Sequence, residues 1–475
     1  MSELAKTLAD CRTNGYVIAP AGYGKTHLIA MAVKLAKERQ LVLTHTYAGV
    51  YSLRNKMAML NVDHSLYEID TIASWSLRFC LAYPKSSQWD ILNPSSSTEW
   101  NKLYDSTEYL LRKIFIQQII QESYNGVYVD EYQDCSKQQH SVLLFLANLL
   151  PCRVLGDPLQ GIFSFADESV DWESDIYPNF RCLGKLDKPW RWENAHSTEF
   201  AEWLITARKN LEAHRKIDLS RGLPPQVKVM PISMSSYSDP QKNRLFYGAL
   251  QKTGSYIVIY SGDQRSKNSG HNLARSLGGV FSSIEEVECN ELKKIFQKLD
   301  TTISNQAKVL QIIDFSKKCF TGIDKVLAAG TIRGEIATIT KKSKSPELTQ
   351  YVNNFINSSC STTLRDFFKL LKNTPDCKVY RRDLFNRFMC VLDLMSAKSI
   401  RTFVEANESY QAIFRRSGRP LKFPRLIGTT LLVKGLEYDH AIYIDTGIAD
   451  EKNLYVALTR ASKSLTIITT KTAIP

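Results

Sequence analysis

The chain has 475 residues, enough for two to four domains at ~100–200 residues each, and its 44% hydrophobic and 23% charged residues describe a globular protein rather than a disordered or collagenous one. Its 61 Lys and Arg against 48 Asp and Glu leave a net charge of +13, which narrows the partners to nucleic acid, an anionic membrane surface or an acidic protein. No apolar run approaches the ~18 residues of a membrane span, the start lacks a secretory layout, and the ten cysteines include no Cys-x-x-Cys pair; a cytoplasmic protein with reduced, mostly buried thiols is expected.

A polar helical start leads into the apolar run Gly15–Ile18, a glycine-containing turn and the helical pattern Leu28–Lys37. Further strands are predicted at Leu41–Thr46, Val127–Asp130 and Arg153–Asp157, separated by helical segments. Strands alternating with helices predict a parallel, doubly wound α/β sheet. Ser86-Ser87 and the polar cluster 93–98 interrupt the pattern and mark a small helical insertion at about 80–120, with a helix over Glu108–Gln121. After Pro189 a second series of strands is predicted at Gln226–Ile232, Ser255–Tyr260, Leu426–Thr430, His440–Asp445 and Ser464–Thr469. Between 283 and 420 strand signals are few, and apolar residues recur at helical spacing, as in Leu364, Phe367, Phe368 and Leu371. The expected organisation is a first α/β core over 1–188, the first part of a second over 189–282, a basic helical insertion over 283–420, and the rest of the second core over 421–475.

Ala19-Pro-Ala21-Gly22-Tyr23-Gly24-Lys25-Thr26 has the spacing of a phosphate loop between a strand and a helix. Small residues let successive N–H groups curl around phosphates, the helix N-terminus adds positive potential, Lys25 would reach the β- and γ-phosphates, and the Thr26 hydroxyl would ligate Mg²⁺. Val127-Tyr-Val-Asp130-Glu131-Tyr-Gln-Asp134 is an apolar strand ending in adjacent carboxylates, where α/β sheets place their sites. There Asp130 would hold Mg²⁺ through water and Glu131 would deprotonate the attacking water, so a nucleoside triphosphatase is expected.

At these residues the chain resembles the UvrD/Rep/PcrA-type helicases of superfamily one. Asp130-Glu-Tyr-Gln-Asp134 resembles their Asp-Glu-x-Gln-Asp signature, and Leu155-Gly-Asp-Pro-Leu-Gln160-Gly-Ile-Phe163-Ser-Phe165 their third motif. Thr44-His-Thr46-Tyr47-Ala48 with Arg54, and Asp70-Thr71-Ile-Ala-Ser-Trp75, are similar to motifs that grip single-stranded backbone. Pro189-Trp190-Arg191-Trp, Thr429-Thr430-Leu-Leu-Val-Lys-Gly435-Leu-Glu437-Tyr438 and Leu454–Ala461 resemble the later motifs, in family order.

The resemblance implies two RecA-like cores with ATP and Mg²⁺ between them and single-stranded DNA across their tops. It makes Lys25, Glu131, Gln160, Arg191 and Arg460 catalytic, with Gln160 and Arg191 at the γ-phosphate and Arg460 as arginine finger. It gives the nucleotide Ala21 to Thr26, His27, Trp190 stacked on adenine, Gly435 and Glu437, and it gives nucleic acid Thr46, Tyr47, Arg54, Thr71, Phe163, Phe165 and Thr430. The implied activity is DNA-dependent ATP hydrolysis with 3′ to 5′ translocation and duplex unwinding. There are departures: Leu431 stands where the family has a strand-coupling histidine, Ala73 replaces another, Ala166 stands where an arginine is common, and no glutamine precedes the phosphate loop. These, and the resemblance of compact UvrD-like proteins to subunits of bacterial anti-phage pairs such as Gabija, imply an alternative: an ATP- and DNA-sensing subunit that activates a separate nuclease or ATPase-nuclease at DNA ends.

Between Lys341 and Arg425 stand 17 Lys and Arg against 7 acids, a net +10, so most of the charge excess lies in the helical insertion. Arg415, Arg416 and Arg419, with Lys422, fall between a helix and a strand and are read as backbone-phosphate contacts. Phe385 and Phe388, at helical spacing, are read as core, Trp75 and Trp100 as packing residues, and Asp445 as a turn cap. No amphipathic helix here has the basic face of a membrane binder.

Overall fold

The structure is a computed structural model that describes residues 1–92, 94, 96–162, 169–231, 250, 253–260, 267–286, 289–340, 343, 345–397, 400–417, 423–447 and 449–475, the side chains of 267–268 and 415–417 excepted. Packing divides it into two compact units, one of residues 1–226, 450–463 and 473–475, the other of 227–449 and 464–472.

The first unit is built on six strands, β1 (Gly15–Ile18), β2 (Gln40–Thr44), β3 (Tyr67–Thr71), β4 (Gly126–Val129), β5 (Cys152–Gly156) and β6 (Arg181–Lys185), ordered β3-β2-β4-β5-β1-β6. Every ladder in it is parallel. The central strands β2, β4 and β5 are buried at every residue, which is why they are mostly apolar; the buried Arg153 of β5 donates to Gln40 of β2 at 2.9 Å. The helix Lys25–Ala36 follows β1 and turns Leu28, Ile29, Ala32 and Val33 onto the sheet. After β4 a capping box at Ser136, bonded reciprocally with Gln139, starts the helix Lys137–Leu149 directly behind the acidic turn.

The insertion is helical as expected, but the helix predicted over Glu108–Gln121 is two, Ser97–Leu111 and Ile114–Ser123. Ser96 and Glu99 form a capping box that starts the first of them well before Glu108, and Lys113 takes an extended conformation that breaks the run. Trp75 is fully buried and Trp100 packs against the same core.

The second unit carries β7 (Val227–Met230), β8 (Tyr256–Tyr260), β9 (Ser282–Ser283), β10 (Arg425–Thr429), β11 (Tyr438–Ile444) and β12 (Ala461–Ile468), ordered β9-β10-β8-β11-β12-β7. The β9–β10, β10–β8, β11–β8 and β12–β7 ladders are parallel. Two six-stranded α/β sheets of this kind are the RecA-like architecture expected from the sequence. Asp445 follows β11 and does cap a turn, accepting from the Gly447 N–H at 2.8 Å and from the Thr469 hydroxyl at 2.8 Å.

Helices fill the stretch between β9 and β10 and enclose their own core, in which Phe315 and Phe388 stack with ring centroids 4.3 Å apart and Phe385 is also buried. Two arginines of the basic stretch point inward. Arg381 forks onto Glu285 at 2.8 Å through both Nε and Nη2 and reaches Glu291 at 2.7 Å, while Arg387 pairs with Asp383 at 3.0 Å and lies 4.4 Å above the Phe414 ring. Both are almost wholly buried, so the surface charge of the insertion is smaller than its sequence count.

Candidate active site

The site is built inside the first unit, at the C-terminal ends of β1, β4 and β5. Where β1 ends, the Ala19 N–H donates to the Gly156 carbonyl at 2.8 Å and pins the loop to β5. Gly22 and Gly24 have φ of 76° and 87°, the left-handed region that a side chain resists, and Gly24 caps the helix that starts at Lys25. Glycines so placed shape a loop whose amides can cradle phosphate.

Lys25 is 8% exposed, with Nζ 2.7 Å from Glu131 Oε2 and 3.6 Å from Asp130 Oδ1. Burial alone would lower its pKa, but the Glu131 and Asp130 carboxylates outweigh that and hold it protonated, well above its ordinary value. Burial raises the Asp130 pKa, against the opposing pull of Lys25. Glu131 stands at φ 55°, a strained conformation for a non-glycine residue, which places its carboxylate over the loop lysine. A buried carboxylate beside a phosphate loop followed by Thr26 fits Mg²⁺, with Asp130 and the Thr26 hydroxyl as the residues that would hold it. Among the described residues no group of three His, Cys, Asp or Glu forms a cage for a metal. That suits an ion that takes few protein ligands and shares the rest with phosphate oxygens.

Gln133 links the acids to the next motif, for its amide donates to Glu131 Oε2 and its Oε1 accepts the Asp157 N–H at 3.0 Å. Asp157 is fully buried, and its Oδ2 accepts from the Gln160 amide at 2.8 Å. Gln160 in turn faces Arg460, whose Nη2 lies 3.5 Å from Gln160 Oε1 while its Nε donates to the Val456 carbonyl at 2.8 Å. Arg460 is 2% exposed and packs, with the helix Glu451–Leu458, inside the same compact unit as the phosphate loop.

Arg191 joins the loop to the segment before Arg460: its N–H donates to the Gly22 carbonyl at 3.0 Å and its Nη1 to the Thr459 carbonyl at 2.5 Å. Trp192 is buried and donates through Nε1 to the Ala461 carbonyl at 2.8 Å. A methyl on Gly22 would meet the Trp192 ring at 2.8 Å, a second reason for glycine there. Trp190 carries the Lys188 ammonium 4.1 Å above its ring and lies beside Gly24. Ala21 and Tyr23 are buried in the loop. His27 is partly buried, and burial together with Lys56 lowers its pKa, so it is neutral at pH 7.

The structure thus brings Lys25, Asp130, Glu131, Gln160, Arg191 and Arg460 into one hydrogen-bonded set. Gln133, Asp157, Arg208, Tyr455 and Trp192 belong to it and carry no role in the sequence reading. Gln133 and Asp157 sit inside quoted motifs, whereas Arg208 is signalled only by a charge on the buried stripe Phe200, Ala201, Leu204, Ala207 and Leu211 of its helix.

The residues assigned to nucleic acid are placed differently. Thr46 and Thr71 cap the helices Tyr47–Met59 and Ile72–Ala82 through their hydroxyls, Tyr47 bonds to Ser74, and Arg54 donates to the Ile69 carbonyl at 3.2 Å. A cavity of about 470 Å³ runs along β3, lined by Arg54 with Arg39, Arg78, Glu68 and Asp70 among others. Thr430, Gly435 and Glu437 lie in the second unit, where Thr430 opens a short helix capped by Thr429 and Gly435 has φ 79°. Arg415 and Arg416 stand on the helix Phe403–Ser417, and Phe163, Phe165 and Arg419 lie outside the described residues.

A glycine-rich loop after β1, an acid pair after β4 and a glutamine after β5 have the layout expected of a P-loop nucleoside triphosphatase. Residues 92–172, which span the acid pair and Gln160, match the model of the UvrD/REP helicase N-terminal domain. The match covers this part of the chain, and the ordered motifs on either side of it resemble the same UvrD-like helicases. Among solved structures the chain is similar to Arterivirus nonstructural protein 10 (helicase) and to its complex with DNA, each at 10% identity and a TM-score of 0.36, covering 98% of this chain. It spans 62% of the chain in the DNA complex and 61% of the other. No curated protein matches it. Among the described residues no helix is long and apolar enough to cross a membrane.

Proposed function

We propose that the protein is a DNA-dependent ATPase of the UvrD-like helicase type, hydrolysing ATP to move 3′ to 5′ along single-stranded DNA. The observation that carries the reading is the continuous chain of contacts from Lys25 through Glu131, Gln133, Asp157 and Gln160 to Arg460.

In the structure Lys25 and Glu131 neutralise one another. An arriving triphosphate competes for the Lys25 ammonium, and drawing it onto the β- and γ-phosphates releases the Glu131 carboxylate to act as base. Glu131 then takes a proton from water as the oxygen attacks the γ-phosphorus and the bond to the ADP oxygen breaks. Mg²⁺, when bound, would neutralise charge on the phosphates. Arg460 and Arg191 supply guanidinium charge to the loose, equatorially charged transition state, and Gln160 reads whether the γ-phosphate is present.

A second reading, an ATP- and DNA-sensing subunit that licenses a partner nuclease, is favoured by Leu431 and Ala73 at strand-coupling positions. Phosphate release and strand displacement measured on the same partly single-stranded DNA separate the two. The helicase reading expects DNA to stimulate ATP turnover and the labelled strand to leave; strong stimulation with no displaced strand supports the second, and ATP turnover indifferent to DNA rejects both.

A further inference from the structure

One buried arginine is unaccounted for by the chemistry above. Arg208 is 7% exposed on the inward stripe of the helix Thr198–Glu212, where an unpartnered guanidinium would be prohibitively costly. It forks onto Asp157, Nη1 to Oδ2 at 2.9 Å and Nη2 to Oδ1 at 2.8 Å, and its Nη1 also donates to the Tyr455 hydroxyl at 2.8 Å. Its Nε lies 2.7 Å from Glu212 Oε1. Its charge also lies 5.0 Å above the Tyr455 ring.

Two of these partners, Asp157 and Tyr455, lead to the reaction. The Asp157 oxygen that takes Arg208 Nη1 is the one that holds the Gln160 amide, so the pair fixes which way Gln160 presents its Oε1. Tyr455 stands on the helix Glu451–Leu458, and the carbonyl of its neighbour Val456 anchors Arg460 Nε. All five residues are at most 7% exposed. A buried ion pair is a weak source of stability and a good source of register, because its fork geometry tolerates one arrangement only.

We propose that Arg208 is a positioning residue for ATP hydrolysis: through Asp157 it orients the γ-phosphate sensor Gln160, and through Tyr455 it sets the helix that delivers Arg460. The inference rests on the ATPase reading. It makes Gln160 and Arg460 respond together, because one guanidinium holds both.

A double-mutant cycle on ATP turnover tests this, using full-length Arg208→Lys, Gln160→Ala and the double variant. Lys cannot fork, so kcat falls roughly tenfold in the wild-type background while KM for ATP stays within about twofold. In the Gln160→Ala background the same change costs only about threefold, since the route through Gln160 is gone and the one through Tyr455 remains. Tyr455→Phe, which loses only a hydroxyl, lowers kcat about threefold. If Arg208→Lys does not fold, Asp157→Asn replaces it in the cycle. Losses that multiply across the cycle, or a rise in KM with kcat unchanged, overturn the inference and leave the ATPase reading standing. A wild-type chain that does not hydrolyse ATP overturns that reading and the inference with it.

Discussion

Arg381→Met separates structural charge from nucleic-acid charge in the basic stretch. Arg381 makes contacts of 2.8, 2.8 and 2.7 Å to Glu285 and Glu291, and its removal takes the forked guanidinium from Glu285, which is 5% exposed. Glu291 keeps Lys318 at 3.3 Å, and Glu285 keeps His271 at 4.0 Å, a ring that burial holds toward neutrality. Breaking a buried pair from one side costs about 3–5 kcal/mol. With denaturant slopes of ~1–3 kcal/mol per molar urea, the midpoint for the second unit falls by at least about 1 M. All seven tryptophans stand at position 203 or earlier, in the first unit, so their emission serves as an internal control while far-UV circular dichroism follows the helices around Arg381. The DNA-binding salt slope of the folded variant stays at the wild-type value. A midpoint shift below about 0.3 M, or a salt slope shallower by about 0.7, the share of one single-strand phosphate contact, would refute the reasoning.

Two further outcomes follow from the same charge map. Neutralising Arg415, Arg416 and Arg419 together should weaken DNA binding and make its salt slope shallower by about 2, three contacts at ~0.7 each, and an unchanged slope in a salt titration removes them from the interface. Glu68 tests the β3 region through pH. Burial would raise its pKa, but the Tyr124 hydroxyl at 2.6 Å and Arg78 and Arg39 at 2.6 and 3.0 Å lower it overall. A carboxyl depressed on folding stabilises above its unfolded pKa, near ~4.3, and loses that contribution as pH falls through the folded value. Glu68→Gln should therefore melt below wild type at pH 7 and converge with it at acid pH; a gap that persists undiminished there contradicts the assignment.

Strands and motifs were legible where burial is two-sided. The strands β2, β4 and β5 are covered on both faces and are mostly apolar, and the glycine-rich turn after β1 and the acidic turn after β4 carry the spacings from which phosphate chemistry was expected. Edge strands were not legible: β3 reads Tyr-Glu-Ile-Asp-Thr and β6 reads Arg-Cys-Leu-Gly-Lys, because residues facing outward or into ion pairs carry charge. The helix break at Lys113 was also hidden, since helical periodicity runs across it. Lys25, Asp130 and Glu131 could be proposed from spacing, and Gln160, Arg191 and Arg460 through the family resemblance, but not the connections between them. Arg208 and Asp157 are 51 residues apart and Arg208 and Tyr455 are 247 apart, so only the packed structure reveals one guanidinium serving both. The basic stretch shows the converse, for composition counted Arg381 and Arg387 with the surface although they pair inside it.

The central claim is that Glu131 activates water for attack on a phosphate held by the Lys25 loop. Steady-state phosphate release from ATP, with Mg²⁺ and single-stranded DNA, compared between wild type and Glu131→Gln, tests it most directly. Gln keeps the size and hydrogen bonding of the side chain but cannot take the proton, so turnover should fall about 10²- to 10⁴-fold while nucleotide binding persists. Wild-type turnover in Glu131→Gln would contradict the account.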